Sequence, residues 1–128
     1  MTELKLSVGT DIVEVERIEK SMQNRRFFEK VFGKEEKEYL LLLKGTALYC
    51  SAAARFAAKE AFGKAVGCGI SGFALSDVQS VNDENGCPHI LLSGGAKEKF
   101  GQTEFSVSLS HTKQYATAVV LAVGKEMK

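Results

Sequence analysis

Tryptophan is absent from the 128-residue sequence, proline occurs once (Pro88), and histidine twice (His89 and His111). No proline-rich, Gly/Ser-rich or repeated stretch marks a boundary, so residues 1–128 are expected to form one domain. The three cysteines, Cys50, Cys68 and Cys87, stand 18 and 19 positions apart with no Cys-x-x-Cys pair. That spacing argues against a disulfide framework and a zinc ribbon, and in favour of three reduced thiols in a cytosolic protein. No run of about 18 apolar residues exists, so no membrane-spanning helix is expected. Met1 to Leu6 lacks a basic region followed by an apolar stretch, so no secretory signal is expected either. Charge of one sign is missing as well. Lys+Arg 17 against Asp+Glu 16 leaves a net +1, which excludes a general nucleic-acid binder.

Several chemistry-bearing motifs are missing. There is no G-x-x-x-x-G-K-[ST], no H-E-x-x-H and no G-x-S-x-G. Gly67-Cys68-Gly69-Ile70-Ser71-Gly72 matches G-x-G-x-x-G, but a dinucleotide loop follows a strand and opens a helix. Here a helical stretch precedes it, and the glycines read as a helix stop and a turn.

What is present is an ordinary globular composition, 45% hydrophobic and 26% charged, with uneven charge. Residues 1–64 hold 12 Lys/Arg against 10 Asp/Glu, and residues 65–128 hold 5 against 6. All four arginines (Arg17, Arg25, Arg26 and Arg55) lie in the first half. Arg17 to Lys30 carries five basic residues against Glu19 and Glu29, a local patch suited to an acidic macromolecule or phosphate groups, or to a solvated helix face.

Leu4 to Val13 alternates as a strand with Asp11 near its end, followed by a short charged helix from Glu14 to about Asn24. Phe27, Phe28, Val31 and Phe32 form an apolar cluster, and Lys34 to Leu43 reads as a further helix. Alanines at 52, 53, 54, 57, 58, 61 and 65 predict the longest helix, from about Ala47 to Val66, stopped by Gly67. Strands are expected at Asp77–Asn82, His89–Leu92, Glu104–Ser110 and Tyr115–Val123, with Asn85-Gly86 turning the first pair into a hairpin. A short helix over Ser93–Gly101 fits between the second and third. The order predicts an α+β fold, a mostly antiparallel sheet packed against one long helix with shorter helices beside it.

Three spots are candidates for chemistry. Asp11 follows Gly9, which permits close backbone approach; it serves either a site or a helix cap. Phe56, Glu60, Gly63 and Lys64 share one helix face. Glu60 and Lys64 form either a surface pair or, with Glu60 held among alanines, a carboxylate that needs a partner such as a divalent cation. Phe105, Val107 and Leu109 alternate inward and leave Ser110-His111 at a strand tip, where the imidazole is either merely exposed or a general base. Two carboxylates, a lysine one turn on and a histidine suit phosphoryl-type transfer. Mg²⁺ takes one or two protein carboxylates plus phosphate oxygens, and lysine holds phosphate as a point charge.

Val8-Gly9-Thr10-Asp11-Ile12-Val13-Glu14-Val15-Glu16-Arg17-Ile18, Arg55-Phe56-Ala57-Ala58-Lys59-Glu60-Ala61-Phe62-Gly63-Lys64-Ala65 and Val107-Ser108-Leu109-Ser110-His111-Thr112 together resemble the holo-[acyl-carrier-protein] synthase family of phosphopantetheinyl transferases. The match in order and spacing spans nearly the whole chain. The resemblance implies transfer of the 4′-phosphopantetheine arm of coenzyme A to a serine of an apo acyl carrier protein, in support of fatty acid biosynthesis. It implies that Asp11 and Glu60 hold Mg²⁺, that Glu60, Lys64 and His111 serve catalysis, and that Arg55, Lys59, Lys64 and His111 lie at the coenzyme. It assigns Arg17, Arg25, Arg26 and Phe27 to the acidic carrier. It further implies a cytoplasmic homotrimer with coenzyme A bound between subunits. Lys30 and Gly33 depart from the family, where arginine and threonine are common; lysine cannot make arginine's bidentate contact. The rival readings are a non-catalytic adaptor for an acidic partner and a small protein that cleaves coenzyme A with water.

Overall fold

The computed structural model of the chain describes residues 2–127, leaving out the side chains of residues 2, 3 and 125–127. The elements run β1 (Thr2–Glu14), α1 (Val15–Ser21), α2 (Arg25–Val31), α3 (Lys34–Leu40), α4 (Gly45–Val66), β2 (Val78–Asn82), β3 (Pro88–Leu92), α5 (Gly94–Phe100), β4 (Glu104–His111) and β5 (Tyr115–Met127). The expected α+β architecture is present, with its strands divided between two antiparallel sheets. One has the order β1-β5-β4 and the other is the hairpin β2-β3. No helix among the described residues is long and apolar enough to cross a membrane.

Helix α4 lies across the larger sheet, and small residues on both sides allow the approach. Ala52, Ala53, Ala57, Ala58 and Ala61 on α4 are buried, as are Ala116, Ala118, Val120 and Ala122 on β5. Gly9 on β1 is the closest contact: a Cβ there would overlap the Ala61 carbonyl oxygen. Ser7 Oγ reinforces this seam by donating to the Ala65 carbonyl at 2.6 Å. Gly67, at φ +84°, ends α4 in the left-handed conformation expected of it. Phe62 gathers Phe73, Phe100 and Phe105 around it, with ring centroids 5.1, 5.5 and 4.7 Å away.

Three local expectations change. The charged helix after β1 stops at Ser21, and a separate helix α2 begins at Arg25, capped by Asn24 Oδ1 accepting from Arg26 N–H at 2.9 Å. The phenylalanine cluster therefore rides on a helix, where Phe27 meets Phe32 and Phe56. The β2-β3 turn is a loop of residues 83–87 closed by Asp83 N–H to the Cys87 carbonyl at 2.8 Å, wider than a two-residue Asn-Gly turn.

Behind α4 sits a buried ion pair. Lys59, 1% exposed, donates to Glu36 Oε1 at 2.6 Å, the Leu75 carbonyl at 3.0 Å and the Val78 carbonyl at 2.6 Å. Glu36 also accepts from Gly33 N–H and Ser80 N–H, and its own N–H donates to Gln79 Oε1. Every ammonium proton and both carboxylate oxygens have partners, which is the condition under which a charge pair survives in a core.

Candidate active site

The β1–α4 seam that Gly9 permits also creates the site, because the next inward residue on β1 after Gly9 is Asp11. Asp11 pairs in register with Ala118 and lies within the strand. Helix α1 is instead preceded by Glu14, whose side chain makes no cap, so the capping role does not fall to Asp11. Lys64, two turns beyond Ala57 on α4, reaches over and donates to the Thr10 carbonyl at 2.9 Å and to Asp11 Oδ1 at 3.2 Å. It bridges to the strand rather than closing a surface pair with Glu60.

Glu60 lies one turn before Lys64, half-buried on the same face. Burial and the adjoining Asp11 carboxylate push its carboxyl above the ordinary value, against the pull of Arg17 and Lys64. Asp11, Glu60 and Lys64, from a strand and a helix, thus meet at one spot. Arg17 joins them from α1, its guanidinium carbon 6.0 Å from the centre of the Phe56 ring. The resemblance assigns Arg17 to the carrier; three residues past the end of β1, it also stands at the Phe56 end of this helix face.

Among the described residues, no group of three His, Cys, Asp or Glu converges as a protein-only metal site. Two like-charged carboxylates held close and partly desolvated fit a hard divalent cation whose remaining ligands come from water and substrate oxygens. A concavity of about 720 Å³ runs along α1, lined by Glu14, Glu19, Lys20, Gln23, Lys113 and Tyr115, and contains none of the three central residues. The chemistry of the carboxylate pair, not concavity, marks the site.

The other expected residues lie elsewhere. Lys59, expected at the coenzyme, instead points into the core, where all its donors are taken by Glu36, Leu75 and Val78. Arg55, 4% exposed, lies under the Tyr39 ring at 4.6 Å and makes long contacts to the Ser51 carbonyl (3.4 Å) and Asn82 Oδ1 (3.5 Å). Its Nε–H has no acceptor, and it has no carboxylate partner within ion-pair distance among the described residues. His111 ends β4, opposite Ala116, with β5 between it and β1. Two strand spacings put it about 10 Å across the sheet from the Asp11 strand, beyond hydrogen-bond reach of the carboxylates. The turn after it is fixed, with Thr112 Oγ1 accepting from Gln114 N–H and Tyr115 N–H, and Cys50 Sγ donating to the Thr112 carbonyl at 3.5 Å. That bond gives buried Cys50 a use that its spacing in the sequence did not reveal. Arg25 and Arg26 are exposed on α2, and Phe27 is half-buried beside Phe56.

Comparison with known proteins places this α+β fold in a family. Residues 7–120 match the family model of the 4′-phosphopantetheinyl transferase superfamily. The chain is 46% identical to a holo-[acyl-carrier-protein] synthase of Treponema denticola over 93% of this chain and 98% of that one. It superposes on a crystal structure of a holo-(acyl-carrier-protein) synthase from Bacillus anthracis in complex with CoA (3′,5′-ADP) with a TM-score of 0.83 and 34% identity, covering 95% and 99% of the two chains. A Helicobacter pylori holo-[acyl-carrier-protein] synthase in complex with coenzyme A gives a TM-score of 0.76 at 32% identity, covering 90% and 98%. The chain belongs to the 4′-phosphopantetheinyl transferase superfamily, within the holo-[acyl-carrier-protein] synthase family.

Proposed function

We propose that the protein transfers the 4′-phosphopantetheine group of coenzyme A to a serine of an apo acyl carrier protein, releasing adenosine 3′,5′-bisphosphate, in support of fatty acid biosynthesis. The observation that carries this reading is the Asp11–Glu60 carboxylate pair with Lys64 bridging to the strand. Relatives bearing the synthase name and synthase structures with bound coenzyme A support the choice of substrate. The reading takes residues 1–128 as one domain.

In this scheme Asp11 and Glu60 hold Mg²⁺. When bound, the cation would supply charge neutralisation for the pyrophosphate. Lys64 already lies across the mouth of the pair and can turn from Asp11 to a phosphate oxygen. Arg55, buried beside Tyr39 with its Nε–H unpaired, is the further coenzyme contact in this scheme. His111 is the candidate base for the carrier's serine hydroxyl. Because it lies two strands from Asp11, the His111 that serves a given carboxylate pair belongs to a neighbouring copy, and coenzyme A is held between subunits of a homotrimer.

The outer face of the β1-β5-β4 sheet supports that assembly. Leu6 is 66% and Val8 62% exposed, and Leu4, Ile12, Val119 and Leu121 are exposed beside them. This apolar strip on β1 and β5, bordered by exposed Ser106, Ser108 and Ser110 on β4, favours burial against another chain. Arg17, Arg25, Arg26 and Phe27 face the acidic carrier from α1 and α2. Three unpaired cysteines, one exposed, agree with a cytoplasmic location.

The test is carrier-dependent release of adenosine 3′,5′-bisphosphate from coenzyme A. Release only with apo carrier is expected. Release without carrier would identify the water-dependent cleaving protein, and binding without release would identify the adaptor.

A further inference from the structure

Arg17 differs from the other cations of its neighbourhood. On the same helix, Lys20 pairs with Glu16 at 3.3 Å, and near α2 Lys37 pairs with Glu29 at 3.0 Å. Arg17 has no carboxylate partner among the described residues. Its guanidinium stands over Phe56 instead, which lies one turn before Glu60 on the same face of α4. Phe56, Glu60 and Lys64 follow one another a turn apart along α4, so Arg17 over Phe56 and Lys64 bonded to Asp11 stand at the two ends of the row that holds Glu60. Lys64 has bonds to break before it can meet a substrate, and Arg17 has none. Arg25 and Arg26, on α2, likewise have no ion pair among the described residues, but neither stands over Phe56.

We infer that Arg17 belongs to the reaction centre, where its guanidinium takes a phosphate oxygen of the coenzyme pyrophosphate opposite Lys64, and is not solely a contact for the carrier. This rests on the transferase reading above. A guanidinium carries several donors in a fixed fork, matched to phosphate, and remains charged throughout the reaction. Placed where charge grows on the leaving phosphate, it stabilises the transition state more than the ground state. The balance of the reaction is unchanged: the serine oxygen forms the new bond to phosphorus, the pyrophosphate bridge breaks, and the electron pair leaves with the bisphosphate.

A cation beside two carboxylates also repels a second cation when no coenzyme is bound, and that gives the test its sign. Mn²⁺ binding is followed by electron paramagnetic resonance on the full-length protein without carrier or coenzyme. Coenzyme A binding is followed by calorimetry with the metal present, and kcat and KM by transfer to apo carrier. For Arg17→Gln, Mn²⁺ affinity should rise about threefold. Coenzyme A affinity should fall, and kcat at saturating carrier should drop on the order of tenfold to a hundredfold. Arg17→Lys keeps the charge and should hold Mn²⁺ affinity at the wild-type value, with kcat between the two. A docking role or local unfolding cannot tighten one ligand while loosening the other. Unchanged Mn²⁺ and coenzyme A affinities with only the KM for carrier raised, the pattern expected of Arg26→Gln, would overturn the inference. Wild-type protein that neither binds Mn²⁺ nor transfers would overturn the transferase reading itself.

Discussion

Glu60 is held where its charged form is disfavoured. Burial and Asp11 both disfavour its charged form, so the folded protein binds a proton there more tightly than the unfolded chain does. The contribution of Glu60 to stability is therefore fully present below the ordinary carboxylate range and is lost as pH rises through its elevated folded value. Glu60→Gln should accordingly melt at or above the wild-type temperature at pH 8, and gain nothing at pH 4, in scanning calorimetry without divalent ions. Added Mg²⁺ should raise the wild-type melting temperature at pH 8 more than at pH 5, and should leave Glu60→Gln almost unmoved. Transfer by Asp11→Asn or Glu60→Gln should fall about a hundredfold or more in a steady-state assay. Asp11, Glu60 and Lys64 were legible in the sequence because their relation depends on regular spacing: a strand residue two after Gly9, and helix residues four apart. Lys59 was not, because its fate is decided by Glu36, 23 positions away and on another helix. In the sequence, a lysine next to a site glutamate looks the same whether it faces phosphate or core.

Helix α4 separates two kinds of polar chemistry. Its β1 side presents Glu60 and Lys64 to Asp11, and its far side drives Arg55 and Lys59 inward, toward Tyr39 and Glu36. Lys59→Met leaves Glu36 without its cation and should cost about 3–5 kcal/mol in urea unfolding. Gly9→Ala forces β1 off the Ala61 carbonyl and should destabilise by about 3 kcal/mol, with transfer activity falling as Asp11 moves relative to Glu60. The long helix, its glycine stop and the later strands follow from local pattern, since alanine runs and alternation act within each element. The break between α1 and α2 was missed because it rests on one capping side chain, Asn24, in a stretch whose charges read continuously as helix. The separation of β2-β3 from the main sheet depends on packing against α3 and α4, which no local periodicity encodes.

At the scale of the molecule, Asp11 and His111 stand on different strands of one sheet whose outer face carries an exposed apolar strip on β1 and β5. The proposed assembly would meet both conditions by covering that strip and bringing a neighbour's histidine to the pair. Sedimentation should give a species of three times 13.9 kDa, and Leu6→Glu with Val8→Lys should give monomers that fold but do not transfer. Mixing a Glu60→Gln chain with a His111→Ala chain should restore part of the activity that each lacks, because some sites then draw both intact residues from different copies. The measurement that bears most directly on the whole is the intact mass of an apo acyl carrier protein incubated with coenzyme A, Mg²⁺ and this protein, with and without EDTA. A mass gain of one phosphopantetheine group that EDTA abolishes is the expected result. No gain with several carriers, while carrier and protein still bind one another, would contradict it.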